Sequence, residues 1–335
     1  MKGGIVKECL KAFVSCAVVF AAFILMTVEP VRGSAGDDFT VWLEGVKREA
    51  SAAGISQATI ESAFEGLAPV PRVIELDRRQ PEVTRTFAAY LRSAVSQQRI
   101  KQGKRLLEAN QALLDEIGLR FGVPPRYLVS LWGIESNYGH YTGGFSVVGA
   151  LATLAHDGRR SSFFRTELLN ALKIIDQGHI DPVDMTGSWA GAMGQVQFMP
   201  SSFLSFAVDH DEDGRRDIWN NISDALASAG NYLKRSGWST GLKWGREVGL
   251  PEGFDSSLMG LDVKKNIDEW ARLGVRRVDG GELPAGSEIA ASVVQPDRGG
   301  RSFLVYDNFR VLLKWNRSVY FGLAVGLLAD AVVSQ

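Results

Sequence analysis

The stretch GIESNYG, Gly133 to Gly139, holds one acid in uncharged surroundings. Leu128, Leu131, Trp132 and Glu135 stand at i, i+3, i+4 and i+7, so a helix through them sets the carboxyl on an apolar face. Pro124 and Pro125 suit the start of that helix and Gly139 its end. Burial disfavours a charged carboxylate, and the negative end of the helix dipole acts in the same direction. A glutamic acid held neutral near physiological pH is what general acid catalysis requires. The same residues also describe a structural Glu bonded to loop amides, and spacing alone leaves both readings open.

A second stretch, SWAGAMGQVQFMPSSF from Ser188 to Phe203, sets neutral hydrogen-bonding groups among apolar ones. Gly191 and Gly194 permit close backbone approach. Ser188, Gln195 and Gln197 offer hydroxyl and amide groups beside Trp189, Phe198 and Met199. That mixture suits a sugar chain, whose hydroxyls and amides alternate with flat apolar faces. A tight loop leading into a helix begun by Pro200 and Ser201 accounts for it too.

A third stretch, DHDEDGRRDIWN, places Asp209, Asp211 and Asp213 at alternate positions before Gly214, as an EF-hand loop does. Arg215 would offer its carbonyl, and Asp217 would take the ninth position. Asn220 occupies the twelfth, where calcium takes a bidentate acid, and two arginines add positive charge. A weakened structural calcium site and a loop held by its own Asp side chains both stay open. The four histidines, His140, His156, His179 and His210, have no metal-ligand spacing such as His-Glu-x-x-His.

Positioning these groups falls to a mainly α chain with a small β element near its C-terminal end. Residues 36–122 read as a helical N-terminal part: FTVWLEGVKREASAAG, SQATIESAFEGL with Ser56 as a cap, and a long periodic run stopped by Gly122. Residues 123–238 alternate helices with Gly-rich loops and carry all three stretches. Residues 239–335 read as a mixed α/β part. In it SEIAASVVQPD, SFLVYDN and FRVLLKW have the short, β-branched and aromatic character of strands, and VYFGLAVGLLADAVV closes the chain as a helix.

Charge and cysteine usage narrow the chemistry. Lys+Arg 37 against Asp+Glu 38 leaves a net charge of -1 with no dense basic run, which sets nucleic acid aside as a partner. Residues 1–35 read as an export signal: Lys2, Lys7 and Lys11, then an apolar stretch from Ala12 to Val28, then small residues at Gly33, Ser34 and Ala35. An uncleaved anchor is the competing reading, and the small-residue site favours cleavage. Cys16 lies well inside the apolar stretch, which argues against lipidation. Both cysteines, Cys9 and Cys16, fall in this segment, so a cleaved product has neither disulfides nor thiol chemistry. The roughly 300 residues that remain are enough to bury a core without them.

GIESNYG, then GSWAGAMGQVQFMPSSF, then DEDGRRDIWNNISDALASAGNYL together resemble the membrane-bound lytic murein transglycosylase B family. LDRRQPE upstream, and DNFRVLLKWN and AVGLLAD downstream, extend the likeness over nearly the whole mature chain. The resemblance implies a lysozyme-like catalytic core, residues 36–335 as one catalytic domain, and cleavage of peptidoglycan glycan strands in the periplasm. It implies Glu135 as an acid that protonates the linkage oxygen and then, as a base, deprotonates the muramyl 6-hydroxyl to close a 1,6-anhydro ring. It places Ser188 and Gln197 at glycan-binding positions, Tyr232 along the cleft, and Arg159 and Arg160 toward the peptide stem; a solvated helix start reads the arginines equally well. Where the family often has Tyr-Asn after the strand, this chain has Trp315-Asn316, which keeps a stacking face and drops a hydroxyl. It further implies a monomer with no required cofactor, and cell-wall synthesis or division proteins as further partners. A lysozyme-like hydrolase and a non-catalytic cell-wall binding protein are the alternatives, and the intact Glu135 argues against the second.

Overall fold

Small polar residues write the helix starts of this chain. The side chains of Ser56, Thr86, Ser96, Ser146, Asn221 and Ser318 each accept a backbone N–H from the first turn that follows. A computed structural model describes residues 35–79 and 85–334. The export signal with its two cysteines, and Gln80 to Glu82 of the LDRRQPE motif, lie outside the described residues.

The first helices are α1 (Ala35–Ala52), α2 (Gln57–Phe64), α3 (Pro71–Arg78), α4 (Phe87–Ala94), α5 (Gln97–Ala109) and α6 (Gln111–Phe121). The long periodic run is thus three helices, broken at the Ser96 cap and at Asn110, and it stops at Gly122 in the left-handed region. There follow α7 (Pro125–Ser136), β1 (Phe145–Ser146), α8 (Val147–His156), α9 (Ser161–Asp176), β2 (Thr186–Gly187), α10 (Pro200–Phe206) and α11 (Ile222–Arg235). The last part holds β3 (Gly245–Gly249), β4 (Lys265–Asn266), α12 (Ile267–Arg272), β5 (Arg276–Arg277), β6 (Ala290–Val294), β7 (Ser302–Tyr306), α13 (Asp307–Trp315) and α14 (Val319–Ala331).

The helix α7 lies at the centre, packed against α14, α5, α11 and α6. Tyr127, Leu128, Val129, Ser130, Leu131, Trp132 and Gly133 are all buried, so the helix is enclosed on every side and not along one stripe. Burying Leu128 and Leu131 contributes roughly 2 kcal/mol each. Ser130, fully buried in this contact, is satisfied: its Oγ donates to the Val325 carbonyl at 2.6 Å.

The five-stranded sheet runs β4-β6-β7-β3-β5, antiparallel throughout, with Val293 opposite Leu304 and Gly245 opposite Val305. Period-two alternation splits its side chains between two cores. Val293, Leu304 and Tyr306 pack with Trp270 and Ile267 of α12, while Val294, Phe303 and Val305 join the main helical core. The sheet recruits β3, β4 and β5 from before Pro284, earlier than the β-branched stretches indicate.

One expectation is overturned. The segment FRVLLKW is not a strand but most of α13, which begins at Asp307 and carries Lys314 in its last turn. Its buried residues Asn308, Phe309, Val311 and Leu312 follow helical spacing, and the charges at each end suit the helix dipole. Trp315 is therefore the last residue of a helix.

Candidate active site

The motif after Gly133 is a helix terminus under strain. Asn137, Tyr138 and Gly139 have φ of 50, 62 and 81, three left-handed residues in succession. Glycine adopts that conformation freely, but a tyrosine does so only when its surroundings compel it. Here the Tyr138 hydroxyl donates to the Arg99 carbonyl at 2.8 Å, and the ring meets Trp132 edge-on with centroids 5.6 Å apart. Gly133 makes room for it, since a Cβ there would lie 2.7 Å from the Tyr138 ring. Ser136 Oγ donates to the Gln195 carbonyl at 2.6 Å and accepts the Gly139 N–H. Each residue around Glu135 thus fixes the helix end that presents it.

Gln195 has a structural task. It is buried, its Oε1 accepts Trp132 Nε1–H at 3.0 Å, and its Nε2 donates to the Trp219 carbonyl at 3.2 Å. The expectation that it faces sugar is overturned, because both ends of its amide are spent joining α7 to the 188–203 loop. Gln197 is half-buried, in a left-handed conformation, and its Nε2 donates to the Thr142 and Gly194 carbonyls. Ser188 Oγ accepts the Ala190 and Ala192 N–H groups and so closes its own loop.

Glu135 is half-buried. Trp315 Nε1 donates to Oε1 at 2.6 Å. Burial pushes the carboxyl up to about 8, and the indole hydrogen bond pulls weakly the other way. An aromatic wall stands beside it. Trp315 lies 5.2 Å from Phe198 and 4.7 Å from Tyr232, ring centre to ring centre, and the Tyr232 hydroxyl donates to the Lys314 carbonyl. Asn316, at the end of α13, is exposed and accepts the Ser318 N–H at 3.0 Å.

One residue near the carboxyl, and a second packed behind it, carried no local signal in the sequence. Tyr90 on α4 is held above its usual range by burial first and then by the charge of Glu135, which places it within electrostatic reach. Tyr320 packs 5.7 Å from Tyr90, with its hydroxyl on Asp297 Oδ1 at 3.1 Å. Asp297 also accepts the Phe87 N–H at the start of α4.

The arginine pair is engaged within the chain. Arg160 Nη2 meets Asp77 Oδ1 at 2.5 Å, and Arg159 Nη1 meets Asp77 Oδ2 at 3.2 Å, with Asp77 buried and both arginines about half exposed. Asp209, Asp211 and Asp213 converge with oxygens within 4.8 Å of one another. Asp217 stays outside that cluster, its Oδ1 accepting the Trp219 and Asn220 N–H groups. Asp209 accepts the Asp213 and Gly214 N–H groups, so the loop is partly built by its own acids.

Fold and site define a class, the mostly helical, lysozyme-like proteins. Comparison with known proteins narrows it. The chain belongs to the family described as transglycosylase SLT domain, which matches residues 38–330. It is 34% identical over 220 residues to membrane-bound lytic murein transglycosylase B of Escherichia coli, a match covering 63% of this chain and 58% of that protein. It spans less than two thirds of that relative. SltB3 from Pseudomonas aeruginosa, solved with NAG-NAM-pentapeptide, superposes with a TM-score of 0.87 at 47% identity, covering 90% of this chain and 81% of that one. Lytic transglycosylase Slt35 of Escherichia coli, solved with calcium, has a TM-score of 0.72 at 27% identity, covering 89% and 93%.

Proposed function

We propose that this chain is a lytic transglycosylase that cleaves the β-1,4 linkage between N-acetylmuramic acid and N-acetylglucosamine and leaves 1,6-anhydromuramic ends. The observation that carries the proposal is the half-buried Glu135 carboxyl, hydrogen-bonded by Trp315 on one oxygen and pushed up to about 8 by burial. At neutral pH it is a loaded acid. Glycoside hydrolases ordinarily use two carboxylates, and no second carboxylate is hydrogen-bonded to Glu135 among the described residues. One carboxyl suffices if the nucleophile is the substrate's own 6-hydroxyl: Glu135 gives its proton to the leaving oxygen, then takes the hydroxyl proton as the ring closes. SltB3 has been solved with both NAG-NAM-pentapeptide and NAG-anhNAM-pentapeptide, which supports the same substrate class here.

Around the acid, Tyr232 with Trp315 offers aromatic surface to a sugar face, and Ser188, Gln197 and Asn316 offer neutral polar groups. Arg159 and Arg160 keep about half their surface free beyond Asp77 and would meet the carboxylates of a peptide stem. Asp209, Asp211 and Asp213 would hold calcium as a loop stabiliser, weakly, because Asn220 stands where a bidentate acid belongs. The workplace would be the periplasm. No helix among the described residues is long and apolar enough to cross a membrane.

Digestion of purified peptidoglycan followed by mass spectrometry tests the reading. Products ending in 1,6-anhydromuramic acid are expected. Reducing ends would identify a hydrolase, and no release at all would leave a binding protein.

A further inference from the structure

The buried acids Asp77, Glu167 and Asp224 differ from the half-buried Glu135 in one respect. Asp77 has an arginine on each oxygen. Glu167 has the Ser201 N–H on Oε2 and the Ser201 hydroxyl on Oε1. Asp224 has the His210 N–H on Oδ1 and the Asp217 N–H on Oδ2. Among the described residues Glu135 has a donor on Oε1 alone.

That donor is an indole, which has an N–H and no lone pair to offer. Resting on the acid role given above, we propose that Trp315 is a positioning residue that confines the mobile proton of Glu135 to Oε2. In the neutral acid the better acceptor is the carbonyl oxygen, so an N–H at 2.6 Å from Oε1 makes Oε1 the carbonyl and Oε2 the hydroxyl. The Oε2–H bond breaks as its proton moves to the linkage oxygen, which leaves with the electron pair of the bond to C1. The charge left on Glu135 is stabilised through Oε1, and Oε2 then takes the proton of the 6-hydroxyl as its oxygen bonds to C1. The proton count balances without water. One oxygen acts as acid and then as base, so the carboxyl need not turn between the steps.

Several titratable groups on the elements around α7 are engaged elsewhere, among them Glu116 and Arg120 on α6, which both meet His210. Arg99 on α5 donates to the Ser93 and Ala94 carbonyls, Tyr232 on α11 to the Lys314 carbonyl, and Tyr320 on α14 to Asp297. Asp330 on α14 accepts Trp244 Nε1–H, and Tyr138 donates to the Arg99 carbonyl. Tyr90 on α4 is the group that senses the Glu135 charge, and as a phenol with a raised value it stays neutral through the relevant range.

Two measurements on the full chain test the assignment. In protein labelled with 15N-tryptophan, one indole N–H resonance should move downfield as Glu135 ionises, with a midpoint of about 8, and should stop titrating in E135Q. W315F should move the alkaline limb of kcat/KM upward by about one pH unit, the size of a lost charge-assisted hydrogen bond, and lower kcat more than it changes KM. An indole that does not titrate overturns the proposal, including where W315F fails to fold. So does an unmoved limb in folded W315F, even with reduced turnover, since a structural role alone would slow the enzyme without moving it. If the parent yields anhydro ends and E135Q is inactive, such results remove the role of Trp315 and leave the proposed function standing. E135Q at the parental rate removes both.

Discussion

Glu135 and Glu167 are both glutamates on helices of one core, α7 and α9, yet their surroundings give them opposite characters. Glu167 is almost fully buried and caps the start of α10, with one oxygen on the Ser201 N–H and the other on its hydroxyl. Glu135 is less buried as a residue, has a single donor, and keeps the other oxygen free of any protein partner among the described residues. A saturated carboxylate is a fastener. A half-buried carboxyl with one unclaimed oxygen holds a proton that can be transferred, and the number of donors separates the two more sharply than depth does.

The largest effect expected from this contrast is on turnover. Glu135→Gln keeps the shape and removes the proton, so muropeptide release should fall by about 100- to 10,000-fold with the fold intact. Release at the parental rate would break the comparison at its first term. Glu167→Ala should do the reverse. Losing the cap should lower stability by about 1–3 kcal/mol in denaturant unfolding while turnover per folded molecule stays close to parental. A large kcat loss in that folded variant would show that Glu167 is more than a fastener.

The pH dependence sharpens the same contrast. The neutral form of Glu135 is the working acid, so kcat/KM should decline as pH rises through about 8. The folded-state value lies above the unfolded reference of 4.5, so the stability tied to the neutral form is whole below about 4.5 and is lost as pH climbs through about 8. Melting temperature should therefore fall over that interval in the parent and fall less in Glu135→Gln. Equal slopes would mean the carboxyl is better hydrated than its surroundings indicate. The smallest effect belongs to the exposed acids. Calcium should raise the melting temperature by roughly 2 °C, equivalent to about 1 kcal/mol or less, and Asp211→Asn should abolish the rise. A much larger shift would mean that Asn220 does not weaken the loop.

Much of the site was legible because its pattern is local. The i, i+3, i+4, i+7 spacing put Glu135 beside Leu128, Leu131 and Trp132 on a helix, and α7 is that helix, though buried all round and not along one face. The Ser56 cap and the Gly122 stop were readable for the same reason. FRVLLKW was misread because Phe309, Val311, Leu313 and Trp315 also alternate, and a short apolar run fits a strand and a helix about equally well. Gln195 looked available to sugar because nothing nearby in sequence shows Trp132 and Trp219 taking both ends of its amide. Tyr90 and Tyr320 were passed over because one sits in an ordinary amphipathic helix and the other in an apolar one, and only packing brings Tyr90 within reach of Glu135.

By itself the sequence determined that an acid would sit on the apolar face of a helix ending in GIESNYG, within a mostly helical chain of recognisable family. Helical periodicity and capping are set by neighbours a few residues apart, so a linear pattern can encode them. Tertiary structure decided which oxygen of that acid is left free. The deciding donor is an indole 180 residues downstream, and only the tertiary fold brings the end of α13 close enough to set its N–H 2.6 Å from one oxygen.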